Sequence, residues 1–219
     1  PHHKIIGEEG AKHEISKGDV VWFIDPIDGT ANFVKNLPSY TIHIGSIKDG
    51  QPYVSYVSIP EQNIVYCDYQ NGNKPLTPLT KRLLCTEFFP HQVKKTEQFN
   101  RLLKKLNATP VRNNSIGISC LELLEGKITA FYKDKLKLWD IIAPLCFLKF
   151  YQYDLWDMKV HYKDEFTNRT VVVDPFLDTQ DYITHLNSIH KTDCRAGLLT
   201  ITPKSDPDIL KVILEEFNY

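Results

Sequence analysis

The chain has 219 residues, enough for one large core or two modest ones, with an ordinary soluble composition of 42% hydrophobic and 24% charged residues. Lys and Arg number 26 against 27 Asp and Glu, and the resulting net charge of −1 offers no basic footprint for nucleic acid or an anionic membrane. No apolar run nears the roughly 20 residues needed to cross a bilayer, and no signal-peptide pattern is found. Cys67, Cys85, Cys120, Cys146 and Cys194 are widely spread with no Cys-x-x-Cys pair, which reads as buried reduced thiols of a cytoplasmic protein.

In chain order, Val20 to Ile24 is an apolar, aromatic run that predicts a buried strand ending at Asp25. A short helical link covers Asn32 to Lys35. Tyr40 to Ile47, Tyr53 to Ile59 and Asn63 to Tyr69 alternate as strands, broken by Lys48-Asp49-Gly50 and Pro60-Glu61-Gln62-Asn63, so an antiparallel meander is expected. Leu83 to Glu87 is a further strand and Val93 to Leu106 an amphipathic basic helix whose lysines form a solvated face. Thr109 to Arg112 is a strand, Ser115 to Glu125 a helix closed by Gly126, and Ile128 to Tyr132 a strand. Asp140 to Phe150 reads as helix, with Pro144 tolerated only near its first turn. Beyond it come a strand near Thr170 to Val173, a helix near Asp178 to Ile189, a strand over Ala196 to Thr202, and a final helix through Phe217 with Pro207 near its start. Halves of 1–108 and 109–219 are expected.

The chemistry concentrates in Trp22-Phe23-Ile24-Asp25-Pro26-Ile27-Asp28-Gly29-Thr30-Ala31-Asn32-Phe33. Two carboxylates three residues apart follow a strand, and Pro26 stiffens the turn between them. Hard cations such as Mg²⁺ prefer carboxylate and carbonyl oxygens, which Asp25, Asp28 and the Ile27 carbonyl can supply together. Gly29 permits close approach to the backbone, and Thr30 is placed to cap a following helix whose amides suit a phosphate. Taken alone, Asp-Pro-x-Asp-Gly is also an ordinary strand-ending turn.

The flanking blocks extend the pattern. The whole stretch resembles the signature of the inositol monophosphatase superfamily, the lithium-sensitive, Mg²⁺-dependent phosphatases. Lys137-Leu138-Trp139-Asp140-Ile141-Ile142-Ala143-Pro144 resembles that family's Trp-Asp motif, and Ile5-Ile6-Gly7-Glu8-Glu9 its Gly-Glu-Glu motif, in the family's order. The resemblance implies an α/β (α+β) fold, a layered α/β/α/β/α sandwich of the inositol monophosphatase and fructose-1,6-bisphosphatase type, with the N-terminal helices absent from this chain. It also implies an Asp on that absent segment, bonded to the motif threonine. Family members are commonly homodimers.

By the same resemblance, Glu8, Asp25, the Ile27 carbonyl, Asp28 and Asp140 would ligate two or three Mg²⁺ ions. Glu8, Thr30 and Asp28 would serve catalysis by directing water onto phosphorus, with no phosphoenzyme. Asp28, Gly29, Thr30, Ser115, Lys133 and Asp140 would meet the substrate, with Glu9 outside the ligand set. Physics agrees on one point: four carboxylates brought together repel unless cations neutralise them. The histidines lack ligand spacing, and Asp174-Pro175-Phe176-Leu177-Asp178 imitates the motif without its Gly-Thr.

The pattern departs from the family at three places. Lys133, seven residues before Asp140, stands where the family has a Glu that meets inositol hydroxyls. Asn114-Ser115-Ile116-Gly117 replaces Gly-Ser/Thr-Ala-Ala, and Ala143-Pro144 is shared with the nucleotide-bisphosphate branch. The expected substrate is therefore inositol monophosphate or another small phosphorylated polyol or sugar such as fructose 1,6-bisphosphate. The alternatives are 3′-phosphoadenosine 5′-phosphate, which a cation at Lys133 favours, or a binding role without catalysis. Neither a nucleic-acid nor a membrane partner is expected.

Overall fold

The computed structural model describes residues 2–9, 14–67, 82–87, 93–134, 137–152, 156–163, 170–173 and 198–217. Two sheets organise them. The first has five strands in sequence order, β1 (His3–Gly7), β2 (Val20–Asp28), β3 (Thr41–Lys48), β4 (Gln51–Ile59) and β5 (Ile64–Cys67). β1 runs parallel to β2; β3 to β5 form the expected antiparallel meander, and β2 pairs antiparallel with β3 beside it. The second sheet combines β6 (Arg82–Glu87), β7 (Ala108–Val111), β8 (Ala130–Asp134), β9 (Trp156–Lys163), β10 (Thr170–Val173) and β11 (Leu198–Pro203) in the order β10-β9-β11-β8-β6-β7.

Helices fill the space between and behind the sheets. α1 (Thr30–Val34) leaves the end of β2; α2 (Val93–Leu106), α3 (Ile116–Leu124), α4 (Leu138–Gln152) and α5 (Pro207–Phe217) follow. The largest core cluster joins Val21, Phe23 and Ile47 of the first sheet to Ile116, Cys120 and Leu123 of α3, Ile142, Leu145 and Cys146 of α4, and Cys85, Phe131 and Ile201 of the second sheet. α3 and α4 are therefore a layer between the two sheets. Leu102 and Leu106 of α2 pack with Ile209 and Ile213 of α5 on Leu84, Ala130 and Tyr132, covering the far face of the second sheet. This is the mixed, layered α/β arrangement that the sequence predicts. Cys67, Cys85, Cys120 and Cys146 are buried thiols. Among the described residues, no helix is long and apolar enough to cross a membrane.

Three local expectations change. β2 does not stop at Ile24. It continues through the carboxylates to Asp28, with an irregularity between Asp25 and Asp28, because Pro26 has no N–H to give the ladder. Thr30 is not the cap of α1. Gly29 takes the N-cap position with φ 88°, and Thr30 is the first helical residue. Pro144 lies inside α4, which begins at Leu138, so the helix lacks one N–H that would have met the Asp140 carbonyl. The expected helix over 178–189 and the Asp174 turn fall outside the described residues. We retain halves of 1–108 and 109–219 as a proposal; β6 and β7 share one sheet across that point.

α4 lies close against the first sheet. A Cβ added at Gly45 of β3 would stand 2.6 Å from the Ala143 Cα and 2.7 Å from its nitrogen, both backbone atoms that cannot swing aside. Gly45 thus sets how near the Asp140 helix comes to the strand beside Asp25 and Asp28. Gly45→Ala is expected to destabilise the fold by about 2 kcal/mol or more, as forced overpacking does. Urea unfolding measures this, and an unchanged midpoint would contradict the close packing.

Candidate metal and phosphate site

The register of the first sheet brings the sequence motifs together. Gly7 pairs with Ile24 in parallel strands, so Glu8 continues beside Asp25. Across the other edge of β2, Asp25 faces His43 and Asp28 faces Thr41. The first turn of α4 adds Asp140, whose carboxylate receives the Lys137 amide. Trp139 is partly buried against the core, with the Lys137 ammonium 5.4 Å from its ring centroid, which anchors that turn.

The two motif carboxylates sit in unlike surroundings. Asp25 and Asp28 are both buried, at 4% and 6% exposure. Burial, then the charges of Asp28, Asp140 and, more weakly, Glu8, push the Asp25 carboxyl up to about 8, although the Ile27 amide donates to its Oδ1 at 3.0 Å. Burial also leads the shift of Asp140, pushed up to about 6 with the charges of Asp28 and Glu8, while Lys133 and the Lys137 amide pull it back. Asp28 goes the other way. Burial opposes its ionisation, but neighbouring His43 and Lys133 and hydrogen bonds from Ser115 and Gly117 hold it below the usual carboxylate range.

The support for Asp28 is concentrated on one oxygen. Its Oδ2 accepts from Ser115 Oγ at 2.5 Å, Thr41 Oγ1 at 2.9 Å and the Gly117 amide at 2.9 Å, with His43 Nε2 at 3.5 Å. Ser115 also caps α3 by accepting from the Ile118 amide. Asn32 of α1, likewise buried, donates to the carbonyls of Ser39 and Asn113 and so fixes the motif's exit against the start of α3. The Thr30 hydroxyl donates to the Ile27 carbonyl at 3.0 Å.

Of the residues expected from sequence, Asp25 and Thr30 both bond the backbone of Ile27, Asp28 bonds Ser115, and Gly29 accepts from the Asn32 and Phe33 amides as it opens α1. Glu8, Lys133 and Asp140 act on the two motif carboxylates electrostatically. Thr41, His43 and Asn32 were missing from that expectation; the only sign of the first two was the alternation of Thr41-Ile42-His43-Ile44 beside the motif. No three His, Cys, Asp or Glu side chains among the described residues are already drawn into a metal-holding cluster. Burial and then the charges of Asp28, Asp140 and Glu8 all disfavour ionisation of Asp25, and a cation would relieve them. Acidic and carbonyl oxygens are also the donors that a hard cation takes, so the residues present fit Mg²⁺.

Comparison with known proteins now decides the family. The sequence profile of the inositol monophosphatase family matches residues 1–159. This chain belongs to the inositol monophosphatase family. Its curated relatives include the Nus factor SuhB of Escherichia coli K12, 30% identical over 157 residues, which covers 65% of this chain and 58% of the relative. The Nus factor SuhB of Vibrio cholerae is 28% identical over 156 residues, with 65% and 58% covered. The chain thus spans less than two thirds of these relatives' length. Among solved structures, Mycobacterium tuberculosis SuhB matches with TM-score 0.66 at 19% identity over 99% of this chain and 77% of that one. A structure described as an IMPase/NADP phosphatase complexed with Mg²⁺ and phosphate matches with TM-score 0.64 at 19% identity, covering 96% and 72%. These structural likenesses establish the shared fold.

The raised Asp25 has a consequence for stability. Its folded pKa of about 8 lies above the ordinary 3.8, so the folded state holds the proton more tightly than the unfolded one. Below about pH 4 the group is neutral in both states and costs nothing; as pH rises towards 8, the metal-free fold is progressively penalised. Asp25→Asn removes that penalty. In EDTA the variant's stability relative to wild type is expected to improve from pH 5 to pH 8 by more than about 1 kcal/mol. Denaturant midpoints at both pH values test it, and a pH-independent difference would contradict the crowding.

Proposed function

We propose that this chain carries the site of a Mg²⁺-dependent phosphomonoesterase acting on a small phosphorylated polyol or sugar, with inositol monophosphate as the first substrate. The observation that carries the reading is the crowding of Asp25 by Asp28, Asp140 and Glu8 at the end of β2, a charge pattern that calls for cations. Glu8, Asp25, the Ile27 carbonyl, Asp28 and Asp140 would hold two or three Mg²⁺ ions. When bound there, Mg²⁺ neutralises the carboxylates, draws in the phosphate and makes a water a better nucleophile.

The chain's own groups supply positioning. Thr30 spends its one proton on the Ile27 carbonyl, so towards a water it acts only as acceptor and turns the water's lone pairs away from itself. Glu8, exposed at the end of β1, can take a proton from that water. The Gly29 and Thr30 amides open α1 beside it and are proposed to receive phosphate oxygens. Fixed donors on Asp28 Oδ2 keep the opposite carboxylate in place without reorganisation during the reaction.

Lys133 supports a second substrate reading. It is half-buried on β8 and acts on both Asp28 and Asp140, where the family's Glu would accept from inositol hydroxyls. An ammonium there favours a substrate with a second anionic group, such as 3′-phosphoadenosine 5′-phosphate or fructose 1,6-bisphosphate. Two similar folds bear on this choice. One structure is described as a dual specific IMPase/NADP phosphatase bound with D-inositol-1-phosphate, another as 2′AMP-bound SaIMPase-II. The proposed partner is therefore a small phosphate ester; a cytoplasmic location, lithium sensitivity and a homodimer belong to the same proposal.

Phosphate release from inositol 1-phosphate, fructose 1,6-bisphosphate and 3′-phosphoadenosine 5′-phosphate, with Mg²⁺ and with EDTA, tests the reading. Turnover that EDTA abolishes is expected for at least one. Absence of turnover with all three, in a protein that binds Mg²⁺, would favour the binding role suggested by relatives that are named Nus factors. Asp25→Asn should lose at least about a hundredfold in kcat while the fold stays intact, since it removes a charge that holds the cation. Lys133→Glu should shift kcat/KM by about tenfold from the doubly phosphorylated esters towards inositol 1-phosphate, the worth of one charge-assisted hydrogen bond. An unchanged ratio would remove Lys133 from substrate choice.

A further inference from the structure

β3 carries a buried polar pair of which the proposed chemistry uses only the Thr41 bond to Asp28. Thr41 and His43 are both fully buried, on the same side of the strand, behind Asp28. An imidazole taken out of water is costly unless its nitrogens are served, and an apolar side chain would fill such a place more cheaply. Thr41 has a single proton, and Asp28 Oδ2 takes it at 2.9 Å. His43 Nε2 lies 2.9 Å from the same hydroxyl, so in that contact the ring is the donor and Thr41 the acceptor. His43 Nε2, Thr41 Oγ1 and Asp28 Oδ2 form a directed chain.

The other end of the ring meets α4. Nδ1 makes no hydrogen bond of good geometry among the described residues; with the proton on Nε2 it is an acceptor, and the ring packs against the backbone of Trp139 and Asp140. Pro144 has no N–H to offer the Asp140 carbonyl, and the backbone of Trp139 and Asp140 borders the ring on this side. The space for this arrangement depends on Gly117, where a Cβ would stand 2.5 Å from His43 Nε2 and closer still to Thr41 Oγ1. The Gly117 amide itself donates to Asp28.

We propose that His43 is a positioning residue that bridges the two carboxylate segments: through Thr41 it locks Asp28 with Oδ2 turned inward, leaving Oδ1 for a divalent cation, while its far edge rests on the Asp140 turn. This rests on the metal-site reading above. It adds that cation affinity depends on a hydrogen-bond donor at position 43 and not merely on the volume of the side chain. Residues that orient ligating carboxylates in this way are commonly worth a substantial share of the affinity.

Mn²⁺ titration of the whole protein, followed by the electron paramagnetic resonance of the unbound ion, tests it. Wild type is compared with His43→Gln, which keeps an N–H where Nε2 stands, and His43→Met, which keeps only volume. His43→Met should bind Mn²⁺ about tenfold more weakly, with His43→Gln within about threefold of wild type. Equal affinities for the two variants, whether high or low, would overturn the bridge while leaving the metal site standing. No Mn²⁺ binding by wild type would remove the metal site and the bridge together. Should His43→Met fail to fold, Thr41→Val against Thr41→Ser makes the same comparison, with loss in the first and retention in the second; equal affinities there would likewise overturn it.

Discussion

Four acidic side chains around the C-terminal end of β2 set the terms for the rest of this molecule. Asp25 cannot ionise comfortably next to Asp28, Asp140 and Glu8 in a place that water barely reaches. A fold that only needed stability would put apolar or amide side chains there. The strain is tolerated because the surrounding structure fixes each carboxylate by a separate device: the strand register for Glu8 and Asp25, three donors on one oxygen for Asp28, and a helix turn for Asp140. Repulsion held in place by unrelated elements is what the proposed cation would relieve.

The devices are interlocked. Gly45 lets α4 press onto β3, which brings the Asp140 turn over the His43 ring. Gly117 leaves room behind Asp28 for Thr41 and His43, while Ser115 both starts α3 and donates to Asp28. Asn32 ties the helix after the motif to the loop before α3. Each of these links joins parts of the chain far apart in sequence, so the site belongs to the packed layers and not to the motif alone. Lys133 adds a cation on β8, where the resemblance to the family implies an anion.

Much of this was legible in the sequence because it is local. Alternation and turn residues placed β3, β4 and β5 in a meander, and α2 was bounded by its own periodicity. Asp25-Pro26-Ile27-Asp28-Gly29 announced oxygen ligands through residue type and spacing, and the Gly-Glu-Glu and Trp-Asp blocks supplied the distant members by resemblance. The missed parts depended on tertiary contacts. Thr41 and His43 look like the solvent-facing half of an alternating strand until α3 is laid against them. Pro144 reads as the opening of a helix until Trp139 and Leu138 are seen to start it earlier. Thr30 looks like a cap until Gly29, with its left-handed backbone, takes that place.

The carboxylates around Asp25 lack compensating positive charge, which a divalent cation is proposed to supply. At pH 7 a carboxyl pushed up to about 8 is mostly protonated, so a cation that ligates it must displace the proton. The most direct measurement is Mg²⁺ titration calorimetry at pH 7 in two buffers of different ionisation enthalpy, which counts protons released on binding. Buffer-dependent heats that correspond to release of up to about one proton are expected, with loss of that release in Asp25→Asn. Binding with identical heats in both buffers, or no binding at all, would contradict it.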